Sequence, residues 1–236
     1  MHEIDFLKVV SDESDVCSYL PQQIARLPLN IPAAGLTAEQ FDQLLAAGYR
    51  RSGWFFYRTQ CPSCTACEPL RIDVGHFQPS RSQRRAQKLG DRHLRTEFAV
   101  PSVDARRLEI FNSHRIQRQL SHDEETVEEP DYRSFLINSY TDVGELSLWF
   151  EDQLVAVSIT DVGVSNMSAV YCFFDPNYSW LNLGTYAILQ QISLAKLRGF
   201  QWLYLGLMVA ENAHLKYKAN FRPHQRRIAG KWQTFE

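Results

Sequence analysis

The spacing of apolar residues changes period several times along the chain, and each change predicts an element. Residues 1–36 are punctuated by Pro21, Pro28, Pro32 and Gly35 and read as loops and short strands. Phe41, Leu44 and Leu45 then recur at helical spacing behind Thr37 and Gln40. Thr with Gln three residues on is a capping-box pattern that opens a helix, and Gly48 stops it. Trp54–Tyr57 and Leu70–Val74 read as strands flanking a cysteine-bearing loop. Ser80 with Gln83 repeats the capping box and predicts a second helix. A strand at His93–Val100 and helices at Ser102–Leu120 and Pro130–Tyr140 follow. Glu145–Phe150 and Leu154–Ile159 form a hairpin about Glu151-Asp-Gln153, and Met167–Phe174 is a third strand. Leu183–Arg198 is a helix ended by Gly199, Gln201–Leu205 a strand and Asn212–Ala219 a short helix.

The order after Glu145 is strand, strand, strand, helix, strand, helix. It predicts an α/β fold with a mixed sheet (α+β) and helices packed on it. It resembles the core of the N-acetyltransferase-like (GNAT-like) acyltransferases. The chain is expected to divide into a cysteine-containing N-terminal region, 1–84, and an acyltransferase-like catalytic domain, 85–236. At 236 residues, 44% of them hydrophobic, it can bury a core without disulfides.

Net charge is −2, which excludes a globally basic nucleic-acid binder. The distribution changes that picture. Arg71–Arg118 holds eleven Lys and Arg against five Asp and Glu, and Asp123–Asp131 is strongly acidic. Segregation of this kind predicts a local basic face. No apolar run has the roughly 18 residues of a membrane helix, and Met-His-Glu-Ile-Asp-Phe has no signal-peptide pattern. An odd five cysteines without an export signal fit a reducing cytoplasm, with thiols or metal ligands rather than disulfides.

Four sets of residues could carry chemistry. Cys61-Pro-Ser-Cys64-Thr-Ala-Cys67 presents three thiols at two-residue spacing, and Cys17 is the one further cysteine of the N-terminal half. Together they could hold zinc or an iron–sulfur cluster, or remain thiols with Cys61 and Cys64 as a redox-sensitive pair. On the helix opened by Ser80, Arg81, Arg84, Arg85 and Lys88 fall within an arc of about 100°, a face that suits a phosphate backbone or stays solvated. Asn182-Leu-Gly184-Thr185 lies between a strand and a helix, where free amides could hold an anion or an oxyanion. Glu211, Tyr217 and Lys218 flank the last short helix as a base, a proton donor and an anion contact. The sequence has no P-loop, no G-x-S-x-G, no G-x-G-x-x-G and no histidine pair of the H-E-x-x-H kind.

Taken in order, a further set of segments resembles the aminoacyl-tRNA–protein transferases, the arginyl-transferase family with its bacterial leucyl-transferase branch. They are Cys17-Ser-Tyr-Leu-Pro21, Arg51-Ser-Gly53, Tyr57-Arg58 leading to the cysteines, Pro69-Leu-Arg-Ile72 and Pro79–Arg85. Phe173-Phe-Asp-Pro176, Leu183-Gly-Thr185, Tyr204-Leu-Gly206, Tyr217-Lys218 and Phe221-Arg-Pro223 complete the set. The resemblance implies transfer of an amino acid from its tRNA ester to the N-terminal α-amine of a protein beginning with Asp or Glu, marking it for degradation. Its partners would be aminoacyl-tRNA and such acceptor proteins, without membrane or DNA. No cofactor is required, because ester to amide runs downhill. The resemblance implies that Ser80, Arg81, Ser82, Arg84, Arg85 and Lys88 meet the tRNA and that Arg71 or a Ser80–Arg85 residue meets the acceptor carboxylate. Asn182 belongs to the aminoacyl end, with Gly184, Glu211, Tyr217 and Lys218 at the chemistry. Asn182, Leu207, Asn212 and Leu215 depart from the family's usual Ser, aromatic, Cys and Met, which leaves the donor amino acid open; leucine is the expected donor and arginine its rival. The rival class is an acetyl-CoA-dependent N-acetyltransferase, which a single glycine before the long helix disfavours.

Overall fold

The computed structural model describes residues 4–118 and 125–236. Strands β1 (Leu7–Ser11), β2 (Ser14–Val16), β3 (Ile24–Arg26) and β4 (Leu29–Pro32) precede helix α1 (Ala38–Ala46). Strands β5 (Arg50–Ser52), β6 (Phe55–Tyr57) and β7 (Glu68–Asp73) lead into α2 (Arg81–His93) and β8 (Leu94–Ala99). Helix α3 (Ala105–Gln117) follows, then α4 (Glu129–Tyr132) running into a π-helical turn at Arg133–Ile137. Strands β9 (Asp142–Phe150), β10 (Gln153–Val162) and β11 (Asn166–Phe174) lead to a 3-10 turn at Pro176–Leu181 and to α5 (Leu183–Leu197). Strand β12 (Trp202–Met208), a 3-10 turn at Lys216–Asn220 and the hairpin β13 (His224–Ile228) and β14 (Lys231–Phe235) close the chain.

Both capping boxes form. The Gln40 amide donates to Thr37 Oγ1 at 3.2 Å and the Thr37 amide to Gln40 Oε1 at 3.0 Å. Ser80 and Gln83 exchange the same pair of bonds at 3.3 and 2.8 Å. The helix expected from Ser102 begins at Ala105, because Asp104 Oδ1 accepts from the Arg107 amide at 2.8 Å and caps it. Its expected end at Leu120 and the start of the acidic run at Asp123 lie outside the described residues. The helix expected over Pro130–Tyr140 stops at Ile137, where Asn138 turns extended. The short helix expected at Asn212–Ala219 is the tighter 3-10 turn Lys216–Asn220. Strands β13 and β14 carry Gln, Arg and Lys in place of an apolar alternation, so the pattern did not announce them.

Eight strands form the main sheet in the order β14-β13-β7-β12-β11-β10-β9-β8. All its described pairings are antiparallel except β11 with β12. Strand β7 comes from the N-terminal region and lies between β13 and β12, so residues 1–84 and 85–236 share this sheet. Strand β10 is buried on both faces, with Val155, Val157 and Ile159 fully covered. Its polar Ser158 and Thr160 are satisfied by Gln191 Nε2 of α5, at 3.0 and 2.6 Å. On the opposite face Ile110 and Phe111 of α3 pack with Tyr132, Leu136 and Phe173. Each such fully buried side chain contributes about 1.5–3 kcal/mol.

Helix α5 is apolar around most of its circumference because it is covered twice, by the sheet and by α2. Gly90 of α2 makes the second contact possible: a Cβ there would lie 2.2 Å from the Tyr186 ring. A four-stranded sheet, β1-β4-β6-β5, packs with α1 against Tyr204 and Trp232. Arg51 of β5 locks it to β10 through Asp161 at 2.7 Å, both side chains 1% exposed. Among the described residues no helix is long and apolar enough to cross a membrane.

Candidate active site

Strands β11 and β12 pair only over Asn166–Ser168 and Trp202–Tyr204. Both then run on, to Phe174 and Met208, without pairing to each other. A cleft therefore opens at the carboxyl ends of the two parallel strands, the usual ligand-binding edge of such sheets. Helix α5 begins beside it: a Cβ on Gly184 would sit 3.6 Å from the Phe174 ring. Asn182, at φ 54° and ψ 42°, turns the chain from the 3-10 segment into that helix.

The turn after β12 carries Tyr217 and Lys218. Lys218 Nζ donates to the Leu207 carbonyl at 2.8 Å. Burial first, and Arg50 second, bring the amine down from 10.5 to about 7. Near neutral pH it is therefore divided between ammonium and free amine. The Tyr217 hydroxyl goes the other way, pushed up to about 12 by burial and then by Cys172, with Arg118 and Arg50 opposing. It remains a proton donor. The Cys172 thiol of β11 is likewise pushed up to about 12 by burial and stays protonated.

Arg50 of β5 faces the same space. Its Nε and Nη1 are buried and have no hydrogen-bond partner among the described residues. Gly206 admits it. A Cβ at that position would lie 1.9 Å from Arg50 Nη1, and its φ of +81° favours glycine as well. Tyr19 packs nearby, its hydroxyl raised by burial and Tyr57 and lowered by Arg50. The Tyr19 carbonyl accepts from Asn212 Nδ2 at 3.1 Å. At the far wall Arg118 stands 5.9 Å from the Phe174 ring centroid and 3.4 Å from His214 Nδ1. Two buried guanidinium nitrogens without a partner among the described residues are costly unless an anion joins them.

The sequence candidates distribute unevenly around this cleft. Tyr217, Lys218, Asn182 and Gly184 stand at it, whereas Glu211 is exposed on the turn before it. Arg71 is engaged elsewhere: its guanidinium is 3.8 Å from the Trp202 ring and 4.2 Å from Trp232. Its Nε and Nη2 donate to Gln225 Oε1 and its Nη1 to the Tyr204 hydroxyl. Ser80 caps α2, and Arg81, Ser82, Arg84, Arg85 and Lys88 are exposed along it. Gln83 Nε2 donates to the Asn220 carbonyl at 3.2 Å, which fixes the start of this basic helix against the turn bearing Lys218.

Cys17 is buried and Cys61, Cys64 and Cys67 are half-buried, all as free thiols. They stand within electrostatic reach of one another. The Cys67 thiol is pushed up to about 12 by burial first and then by Cys17, Cys61 and Cys64. Among the described residues no three His, Cys, Asp or Glu side chains are grouped to hold a metal ion. Sequence reasoning missed Arg50, Arg118 and Cys172 at the cleft. Arg50 directly precedes the Arg51-Ser-Gly53 segment, and that adjacency was its one signal.

The geometry can be set beside known proteins. The family model for the N terminus of arginine-tRNA-protein transferase matches residues 15–85. The model for the C terminus of the same family matches residues 106–228. An aspartate/glutamate leucyltransferase of Aeromonas hydrophila is 36% identical over 239 residues, covering 100% of this chain and 98% of its own length. One from Chromobacterium violaceum is 33% identical over 218 residues, covering 92% and 90%. Among solved structures, the C-terminal domain of an Agrobacterium fabrum protein assigned as a lysylphosphatidylglycerol synthetase aligns with a TM-score of 0.52 at 13% identity. That alignment covers 85% of this chain and 64% of the other, and it speaks to fold alone.

Proposed function

The chain belongs to the arginine-tRNA-protein transferase family, and we propose that it transfers leucine from Leu-tRNA to the N-terminal α-amine of proteins beginning with Asp or Glu. The observation that carries the proposal is the pair of Arg50 nitrogens, buried and without a partner among the described residues, beside a lysine amine poised near neutrality. The full-length similarity to aspartate/glutamate leucyltransferases supports the same reading.

Arg50 offers its guanidinium N–H groups to the acceptor's side-chain carboxylate, a charge-assisted contact that an uncharged first residue cannot match. The α-amine, with a free pKa of about 7.7–8.0, gives up a proton to the neutral amine of Lys218. Its nitrogen then attacks the ester carbonyl carbon of Leu-tRNA. Amides at the start of α5, around Gly184, face the developing oxyanion. As the tetrahedral intermediate collapses, the C–O bond to the ribose breaks; the Tyr217 hydroxyl gives its proton to the ribose oxygen and takes back the one the attacking nitrogen sheds, and Lys218 returns its own to water. Arg50 and Lys218 act as one binding and proton-transfer unit, and alignment of amine and ester does the rest. Cys172 beside Tyr217 and Phe174 beside Gly184 offer an apolar surface suited to a leucyl side chain.

The arrangement β9–β10–β11–α5–β12 serves in this reading as an acyltransferase core of the N-acetyltransferase-like kind. Three antiparallel strands, a helix and a parallel return strand that parts from its neighbour support that assignment. The test supplies radiolabelled Leu-tRNA or Arg-tRNA with an Asp-initiated peptide. Leucine transfer is expected. Transfer of arginine alone would overturn the donor assignment, and transfer of neither would overturn the reaction.

A further inference from the structure

The cleft edge continues past α5 into an aromatic group that the reaction above does not use. Trp180 is 51% exposed and sits two residues before Asn182. Its ring is held edge-on at 5.7 Å from His93 and 6.0 Å from Phe150. Phe150 is in turn 5.4 Å from Tyr178 and 6.3 Å from His93, with which it stacks. Edge contacts of this kind fix a ring and leave its face free. The indole is therefore a rigid, open surface rather than a side chain covering the core.

The surroundings are cationic and run in one direction. Arg81, Arg84, Arg85, Lys88 and Arg92 are all exposed on α2, whose single acid, Asp91, is occupied by Gln87 and the Tyr186 hydroxyl. The helix starts against the turn bearing Lys218 and ends at His93, beside Trp180. Beyond it a shallow groove of about 550 Å³ is lined by Arg92, Arg95, Trp149, Phe150, Glu151 and Asp152. Arg95 lies 4.9 Å over the Trp149 ring. Cations for phosphates and an open ring for a base are the two elements by which single-stranded RNA is held. An apolar polypeptide would match the ring but not the row of cations.

We propose that Trp180, backed by His93 and Phe150, is a stacking platform for the single-stranded 3′ end of the donor tRNA, whose adjoining phosphates lie along α2. This rests on the aminoacyl-tRNA reading above and adds to it the element that delivers the ester to the cleft.

The experiment measures affinity for uncharged tRNA and for the same tRNA lacking its single-stranded 3′ end, in wild type, Trp180→Ala and Trp180→Phe, with melting curves as the fold control. Trp180→Ala is expected to weaken binding of the intact tRNA about tenfold, the scale of one lost base stack. It leaves the truncated tRNA unchanged, and Trp180→Phe retains most of the affinity. Equal loss on both RNAs, or loss on neither, overturns the platform. A raised KM for the Asp-initiated peptide with intact tRNA binding assigns the surface to the acceptor and also overturns it. Wild-type leucine transfer is measured alongside. Its absence would refute the functional reading itself, whereas its presence with an unaffected Trp180→Ala refutes only the platform.

Discussion

Replacing Lys218 by methionine separates what the residue does for chemistry from what it does to stability. Burial and Arg50 hold its amine at about 7 instead of 10.5. A difference of that size corresponds to roughly 5 kcal/mol of preference for the neutral form. Solvent reaching a half-buried side chain reduces the effective figure to roughly 2–3 kcal/mol. Below pH 7 the amine is protonated in both folded and unfolded chains, and the folded state carries the whole penalty. Between about 7 and 10.5 the unfolded chain binds the extra proton, so stability rises with pH and the penalty fades. Methionine removes the penalty and gives up the bond to the Leu207 carbonyl, worth about 1 kcal/mol. The expected net gain near pH 6 is about 1–2 kcal/mol, or about 3–6 °C in melting temperature for a chain of this size. It should shrink steadily towards about pH 9. Activity moves the opposite way. A positioned base contributes about 100- to 10,000-fold, so leucine transfer should fall at least about 100-fold and lose its rise through about pH 7. Calorimetry and initial rates across that pH range provide both readings. A melting shift of the same size at every pH, or a variant whose rate still rises through 7, refutes the reasoning.

Arg50→Gln should raise KM for an Asp- or Glu-initiated peptide about 100-fold, the scale of a buried charge losing its partner, while KM for Leu-tRNA holds. Equal effects on both substrates would place Arg50 outside the acceptor site. Arg84→Ala combined with Arg85→Ala should weaken tRNA binding and flatten its log–log salt dependence by about 1.4–1.8, two phosphate contacts' worth. An unchanged slope would assign that face of α2 to solvent.

Much of the scaffold was legible because its signals are local. Thr37 with Gln40, and Ser80 with Gln83, are read within four residues, and both boxes form as the sequence predicts. The β9–β12 order needs only the change from period two to period 3.6. The cleft is a different matter. Arg50 and Arg51 are adjacent and chemically identical, yet alternation along β5 sends them to opposite sides. Arg51 meets Asp161 in a closed pair, and Arg50 meets no acid among the described residues. Which of the two becomes structural depends on an aspartate in β10, far along the chain. Arg71 shows the converse. As a sequence cation it suits an anionic substrate, but pairing of β7 between β12 and β13 places it where Trp202 and Trp232 enclose it. Tyr217 and Lys218 were found because they are polar residues near a turn. In the proposed reaction Lys218 can accept a proton because burial and Arg50 lower its amine, and the two strands that flank this region stop pairing after Ser168 and Tyr204. Strand β12 shifts register against β7 immediately afterwards, and Gly206, in the left-handed region, clears the space that Arg50 occupies. The site is therefore a consequence of register. Had the two strands paired to their ends, the same residues would be present without the opening between them.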